Sequence, residues 1–306
     1  MSIEAPASRG IVARWTDGQT IPVLIVVLVI GVFWYLGAMW LNADLQRDLF
    51  ANGGKTDYTT AELIEGTLSQ ERPKLPTPGQ IIAELQKTVI DTAPTSKRSL
   101  VYHGSVTLSA TVLGFLLGSM LGMVLAVLVV HARSLDRSLM PWVVASQTIP
   151  IIALAPMVIV IMNQFDITGL VPKSIIAAYL SFFPVTVGMV KGLRSPDPLQ
   201  MDLMRTYSAS RMQVFFMLRV PASLPFLFAS LKVAVAASLV GTVVAELTKS
   251  EDGGFGARLL AGSYYGQTIQ IWAALFAAAI LAAKAAASEA EEYRQWSFNI
   301  GKLIRD

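Results

Sequence analysis

Four stretches without a single Asp, Glu, Lys or Arg dictate what this chain can fold into. They lie between Asp17 and Asp44, Arg98 and Arg133, Arg137 and Asp166, and Arg258 and Lys284, and hold 26, 34, 28 and 25 residues. A helix that crosses a bilayer needs about 20 apolar residues, and an uncharged run of about 18 already marks one. Only 15% of the 306 residues are charged, against about 25% in a soluble domain. Lipid offers no partner to an open backbone, so such runs are helices. The sequence therefore specifies an all-α, polytopic membrane protein.

Six spans are expected: Ile21–Leu41, Val106–Val130, Leu139–Met162, Ser174–Val190, Pro225–Ala245 and Ile269–Ala287. The first is too long for a signal-peptide core and no small-residue cleavage site follows it, so it is read as retained. Pro150, Pro156 and Pro184 fall inside spans three and four, where neighbouring helices tolerate kinks. If the N-terminus is inside, segments 1–20, 131–138, 191–219 and the tail from Lys284 carry thirteen Lys and Arg. The short outer loops 163–173 and 246–268 carry three. The positive-inside rule then puts both termini in the cytoplasm. The domain plan that follows is a cytoplasmic N-terminus (1–20), a first membrane helix (21–41), an external segment (42–99), a membrane core (100–290) containing an inner loop (191–224), and a cytoplasmic tail (291–306).

Composition also excludes. With no cysteine there is no disulfide and no thiolate nucleophile or metal ligand. The net charge of +3 sits in short loops between apolar runs, which argues for membrane orientation and against nucleic acid. No GxxxxGK[ST] motif is present to bind a nucleotide through a P-loop, and no internal repeat appears. In the external segment, Ile81, Ile82, Leu85, Val89 and Ile90 recur at helical spacing, which predicts a short amphipathic helix.

The inner loop is the informative one. After Pro196 and Pro198, Leu199, Leu203, Tyr207 and Met212 are expected on one helical face. A break follows at Ser208 and Ser210, and a second helix, Met212 to Val220, is expected to stop at Pro221. Two short helices with a small-residue turn outside the membrane suit docking into a partner's groove.

This loop resembles the coupling loop of inner-membrane permeases of binding-protein-dependent ABC importers, whose pattern is E-A-A-x3-G-x9-I-x-L-P. Here the positions read Asp202, Leu203, Met204, then Ser208 in place of glycine, Leu218, Val220 and Pro221. The resemblance extends over about residues 74–265. LPTPGQII (75–82), HGSVTLSATVLGFLLGSMLGMVLA (103–126), QTIPIIALAPMVIV (147–160) and PASLPFLFASLKVAVAASLVGTVVAEL (221–247) are similar to ordered blocks of the nitrate, taurine and alkanesulfonate branch. Ala110 departs from the usual basic residue, and the Ala-rich sixth span and acidic tail depart from the usual bulkier ones.

The resemblance implies a type I ABC importer fold and a non-catalytic role as one half of a homodimeric pathway. It also implies a cytoplasmic ATP-binding subunit carrying ATP-Mg, an external solute-binding protein, surrounding lipid, and a bacterial inner-membrane location. The ATPase contacts it implies are Asp202, Tyr207, Ser208, Ala209, Met212, Phe215, Leu218 and Pro221, with Arg205 and Arg211 facing an acidic rim. The substrate it implies is a small anion such as nitrate or a sulfonate, or a pyrimidine or riboflavin-like vitamin precursor.

Lys232 interrupts span five, where it either snorkels to the inner interface or faces the pathway. Glu246 lies 14 residues on, about 21 Å along the helix, and reads as an interfacial or gate carboxylate. Gln147, Thr148, Asn163 and Gln164 bracket span three, as helix glue or as pathway contacts. Gly114, Gly118 and Gly122 predict close helix packing. His103 and His131 are expected to be solvated at the ends of span two. A secondary transporter is the alternative, but spans one to four hold no Asp or Glu to bind a coupling ion. A membrane assembly protein without transport is the other alternative.

Overall fold

The computed structural model describes residues 20–55, 57–248 and 253–303, with side chains from 21 to 287. Residues 1–19, which include most of the expected cytoplasmic N-terminus, and the side chains of Glu289, Glu291 and Glu292 lie outside that description. Among the described residues every regular element is helical.

The helices are α1 (Thr20–Asn52), α2 (Thr60–Ser69), α3 (Pro78–Gln86), α4 (Leu100–His131), α5 (Arg133–Ser146), α6 (Ile151–Gln164) and α7 (Leu170–Leu193). They continue as α8 (Pro198–Thr206), α9 (Arg211–Val214), α10 (Val220–Thr248), α11 (Phe255–Tyr264) and α12 (Thr268–Leu303). Among the described residues, five helices are long and apolar enough to cross a membrane: α1, α4, α7, α9 continued through α10, and α12 as far as Ala287. The expected third span is not one straight helix. It is the pair α5 and α6, bent by 99° at residues 147–150. Pro150 supplies the reason, because a proline disfavours helical geometry in the residue before it.

The core is the trio α4, α7 and α10. Lipid is as apolar as leucine, so these helices hold together by close approach and not by water exclusion. The glycine row of α4 provides that approach. A methyl group on Gly114 would come 2.8 Å from the Ser174 carbonyl, on Gly118 2.7 Å from the Ala178 carbonyl, and on Gly122 2.7 Å from the Phe182 carbonyl. Hydroxyls then lace the backbones: Ser238 donates to the Thr111 carbonyl at 2.8 Å, and Thr111 to Thr242 at 3.1 Å. The expectation that these glycines serve packing holds.

The first helix runs past the expected end at Leu41 to Asn52, and the segment that follows folds back onto it. Buried Asn42 organises the fold-back. Its amide donates to the carbonyls of Leu75 (2.9 Å) and Thr67 (3.3 Å), and its oxygen accepts from the Leu75 N–H (3.1 Å). Trp34 donates to the Pro76 carbonyl at 2.9 Å and packs against Trp272 of α12 at 5.0 Å. The amphipathic stretch is α3 followed by a wide turn, Lys87–Asp91. Leu85 packs towards Leu100 and Phe255, while Ile82 and Ile90 stay exposed. Past the expected end of the sixth span at Ala287, α12 continues unbroken to Leu303.

Candidate functional site

At one end of the trio, α8 stands out as a short helix whose limits are written locally. Asp197 caps its start, accepting from the Leu199 N–H at 2.8 Å, with Pro198 in the first turn and Gln200 completing a capping box. Its end is a Schellman turn. The Ser208 N–H donates to the Arg205 carbonyl at 2.9 Å and the Ala209 N–H to the Met204 carbonyl at 3.0 Å. That turn requires a left-handed residue, and Ser208 occupies it with φ +51°. Glycine is the residue that fits there without strain, which is why a glycine stands at this position of the coupling-loop pattern. Ser210 then caps α9 in a second capping box with Gln213.

The helix buries none of its side chains. Leu199 is 78% exposed, Leu203 55%, Tyr207 76% and Met212 65%. Asp202 and Arg205 are also exposed and pair with each other at 2.9 Å. Arg211, Ser208 and Pro221 face outward, while Ala209 and Leu218 are half-buried. Phe215 differs from expectation. It packs beside Ala126, Val129 and Met189 and lies 4.8 Å from the His131 ring. The wide turn Phe215–Arg219 is the cause, because its extra residue rotates Phe215 inward and leaves Phe216 and Met217 exposed. The same widened turn lets the helix continue through Pro221, where a stop was expected. Below the loop, Arg194 at the end of α7 pairs with Asp136 of α5 at 2.8 Å.

The opposite end is built around a buried carboxylate. Glu246 has no exposed surface. It accepts from the Thr107 hydroxyl (3.0 Å) and the Gly256 N–H (3.0 Å), and Thr107 in turn accepts from the Phe255 N–H (2.9 Å). His103 Nδ1 accepts from the Gly254 N–H at 3.0 Å while Nε2 lies 2.9 Å from the Lys97 carbonyl, which assigns the proton to Nε2. Buried Lys173 donates to the Gly253 carbonyl at 3.2 Å. Three helices thus grip residues 253–256. Gly253 and Gly254 have φ of +75° and +114°, and a methyl group on Gly254 would overlap the Glu246 carboxylate.

Above this grip, a cavity of about 690 Å³ is lined by Glu84, Lys87, Asp91, Arg98, Arg258 and Gln270 among others. Burial lowers the Arg258 pKa below its ordinary value, Glu84 opposes the shift and Arg98 adds to it. Among the described residues, no three His, Asp or Glu side chains gather to hold a metal ion.

Comparison with known proteins fits this geometry to a family. Residues 114–286 match the model described as binding-protein-dependent transport system inner membrane component. The chain belongs to that family. Over 151 residues it is 33% identical to a Haemophilus influenzae protein whose name calls it a probable ABC transporter permease, covering 49% of this chain and 60% of that one. Over 179 residues it is 34% identical to the formylaminopyrimidine transport permease protein ThiX of Halalkalibacterium halodurans, covering 58% and 67%. Over 151 residues it is 30% identical to the riboflavin transport system permease protein RibX of Chloroflexus aurantiacus, covering 49% and 55%.

Two of the expected pathway residues, Gln147 and Asn163, are exposed, and Lys232 is half-buried on α10. Glu246, read from sequence as an interfacial or gate carboxylate, is wholly enclosed by protein partners. His103, expected to be solvated, is buried, with 7% of the residue exposed and both ring nitrogens bonded. Gln147, Thr148, Asn163 and Gln164 make none of the interhelical bonds expected of glue, which Ser174, Ser181, Ser238 and Thr242 supply instead. The roles of His103, Thr107 and Lys173 were missed. The one local signal was the Gly253-Gly254-Phe255-Gly256 run, which marks a tight turn but not its partners.

Proposed function

We propose that the chain is the membrane-spanning subunit of an ABC importer, two copies of which form the pathway for a small solute. On this reading it is not itself a catalyst, and ATP-Mg is bound and hydrolysed on a separate cytoplasmic subunit. One observation carries the proposal: a helix capped at both ends presents Leu199, Leu203 and its C-cap Tyr207 bare to solvent, and Met212, expected on the same helical face, is exposed on the separate helix α9 that follows the turn. An exposed apolar face on a rigid short helix suits insertion into a groove. Asp202, Arg205, Ser208, Ala209, Arg211 and Leu218 flank it. Phe215 is assigned to the lever's root, where it ties the docking helix to the end of α4.

The loop carries five of the 24 basic residues, so the coupling end faces the cytoplasm and the α1-associated end faces outward. Both termini are then cytoplasmic, and the membrane is the bacterial inner membrane. The mixed-charge cavity at Glu84, Lys87, Arg98 and Arg258 suits docking of a soluble solute-binding protein. For the solute, relatives at 34% and 30% identity are named for formylaminopyrimidine and riboflavin, and these support an uncharged nitrogen heterocycle.

Deleting residues 202–212 tests the coupling. The expected result is a permease that inserts and purifies but no longer retains the ATPase. An intact complex with that deletion sinks the proposal. Uptake of radiolabelled pyrimidine into vesicles, with nitrate and a sulfonate as competitors, tests the solute class; competition by the anions alone overturns it.

A further inference from the structure

The charge-free stretch 138–165 has to lie in the membrane, yet its backbone is broken in the middle. α5 and α6 hold 14 residues each, about 21 Å apiece, and neither alone crosses about 30 Å of hydrocarbon. The depth of the break is fixed by a neighbour. The Tyr179 hydroxyl donates to the Ser146 carbonyl, and Tyr179 is the tenth of the 24 residues of α7. Residues 147–150 therefore sit near the middle of the bilayer.

Lipid does not tolerate this arrangement. Irregular backbone at membrane depth persists only inside protein or along a water-filled cavity. Yet Gln147 and Thr148 are exposed, and α6 begins at Pro150 with no side-chain cap. Their side chains bond only locally, Thr148 to the Ala145 carbonyl at 2.7 Å and the Gln147 amide to Ser146 Oγ at 3.4 Å, whereas in the trio Thr111, Ser181, Ser238 and Thr242 are buried and bonded between helices. A primary amide with only one long local bond is strongly disfavoured in hydrocarbon, where nothing else can satisfy its remaining donor and acceptor.

We infer that the break at 147–150 lines the water-filled pathway at mid-membrane, with Gln147 and Thr148 as its solute-facing groups. This rests on the importer reading above and assigns to it the element that solute passes. The groups suit the task. No charge occurs from 138 to 165, so contacts to a passing solute are neutral hydrogen bonds, weak enough for release on the far side.

The chain has no cysteine, so single substitutions report cleanly. Gln147→Cys and Thr148→Cys are made in the full chain, assembled with its ATPase in proteoliposomes, beside Ile30→Cys in the exposed apolar stretch of α1. The probe is a charged, membrane-impermeant methanethiosulfonate. A thiol reacts as its thiolate, which forms in water and not in lipid, so labelling at 147 and 148 is expected about tenfold or more faster than at 30. Trapping the ATPase with ATP and vanadate is expected to change the rates at 147 and 148 and not at 30.

Labelling as slow as at position 30, in a complex that still takes up solute, overturns this inference and leaves the importer reading standing. Fast labelling indifferent to vanadate overturns it too, because a static water pocket is not a pathway. Loss of ATP-dependent uptake in the unsubstituted chain breaks the importer reading instead.

Discussion

The two ends of the bundle are held by opposite means. At the Glu246 end, residues far apart in sequence meet: Glu246 with Thr107, His103 with Gly254, Asn42 with Leu75. At the coupling end, α8 is defined by bonds that span two to five residues, and its faces are bare. A segment with many long-range buried bonds opens only with the global structure, whereas a locally capped helix is free to move as a unit. The molecule thus has a stitched end and a lever end. The lever stays stiff within itself while making few commitments to the rest.

The largest effect that separates them comes from Glu246→Ala. It leaves the Thr107 hydroxyl and the Gly256 N–H buried without their acceptor, which costs about 3–5 kcal/mol. The expected outcome is a clear fall in the thermal midpoint of the purified permease, with a smaller fall for Glu246→Gln, which keeps one acceptor oxygen. A loss no greater than that of an exposed substitution on α8 would erase the distinction between the ends.

Leu203→Asp probes the other side. The residue is exposed and touches no core, so unfolding should change by no more than about 0.5 kcal/mol. ATPase retention should fall about tenfold or more, since a desolvated carboxylate would enter the apolar contact. Pull-down of the ATPase beside a melting curve reads both quantities. A destabilised but fully docked variant would reverse the roles assigned here.

What the sequence made legible follows the same division. Caps, the Ser208 turn and the glycine row of α4 are written within eight residues, and all could be read in advance. The grip on residues 253–256 could not, because Glu246 lies 139 positions from Thr107, and His103 lies 151 from Gly254. The broken third span was hidden by uniform composition: an absence of charge says membrane but not straight helix. Phe215, an ATPase contact by resemblance alone, turns inward at a wide turn that nothing in the local sequence announces.

A smaller effect tests whether the lever's turn is tuned by local strain alone. Ser208 holds φ +51°, which costs a non-glycine residue about 1–2 kcal/mol. Ser208→Gly should therefore tighten the Schellman turn, slowing hydrogen exchange at the Ala209 N–H without altering the global midpoint. Ser208→Val should do the reverse. If Ser208→Gly loosens the turn, the serine side chain makes a contribution that the backbone geometry does not reveal.

The smallest effect lies in the external segment, where local capping also operates, and it asks whether that region belongs with the stitched end or the lever. Glu62 closes a capping box with Thr59 and accepts from Lys55 at 2.8 Å. The Lys55 hydrogen bond and the Thr59 N–H hold its carboxyl below the ordinary value of 4.5. A carboxyl depressed in the fold stabilises fully above its unfolded pKa, and that contribution is lost as pH falls through the folded one. The side chain is open to solvent, so the stabilisation is small and screened by salt. Acidification from neutral pH to below 4 should therefore fray the first turn of α2, seen as faster exchange at the Glu62 and Leu63 N–H groups. In Glu62→Gln the exchange should be independent of pH once the intrinsic rate is removed. Protection that persists at low pH in the unsubstituted chain would mean that Asn42 and Gln70, not the cap, hold this segment, and would place it wholly with the stitched end.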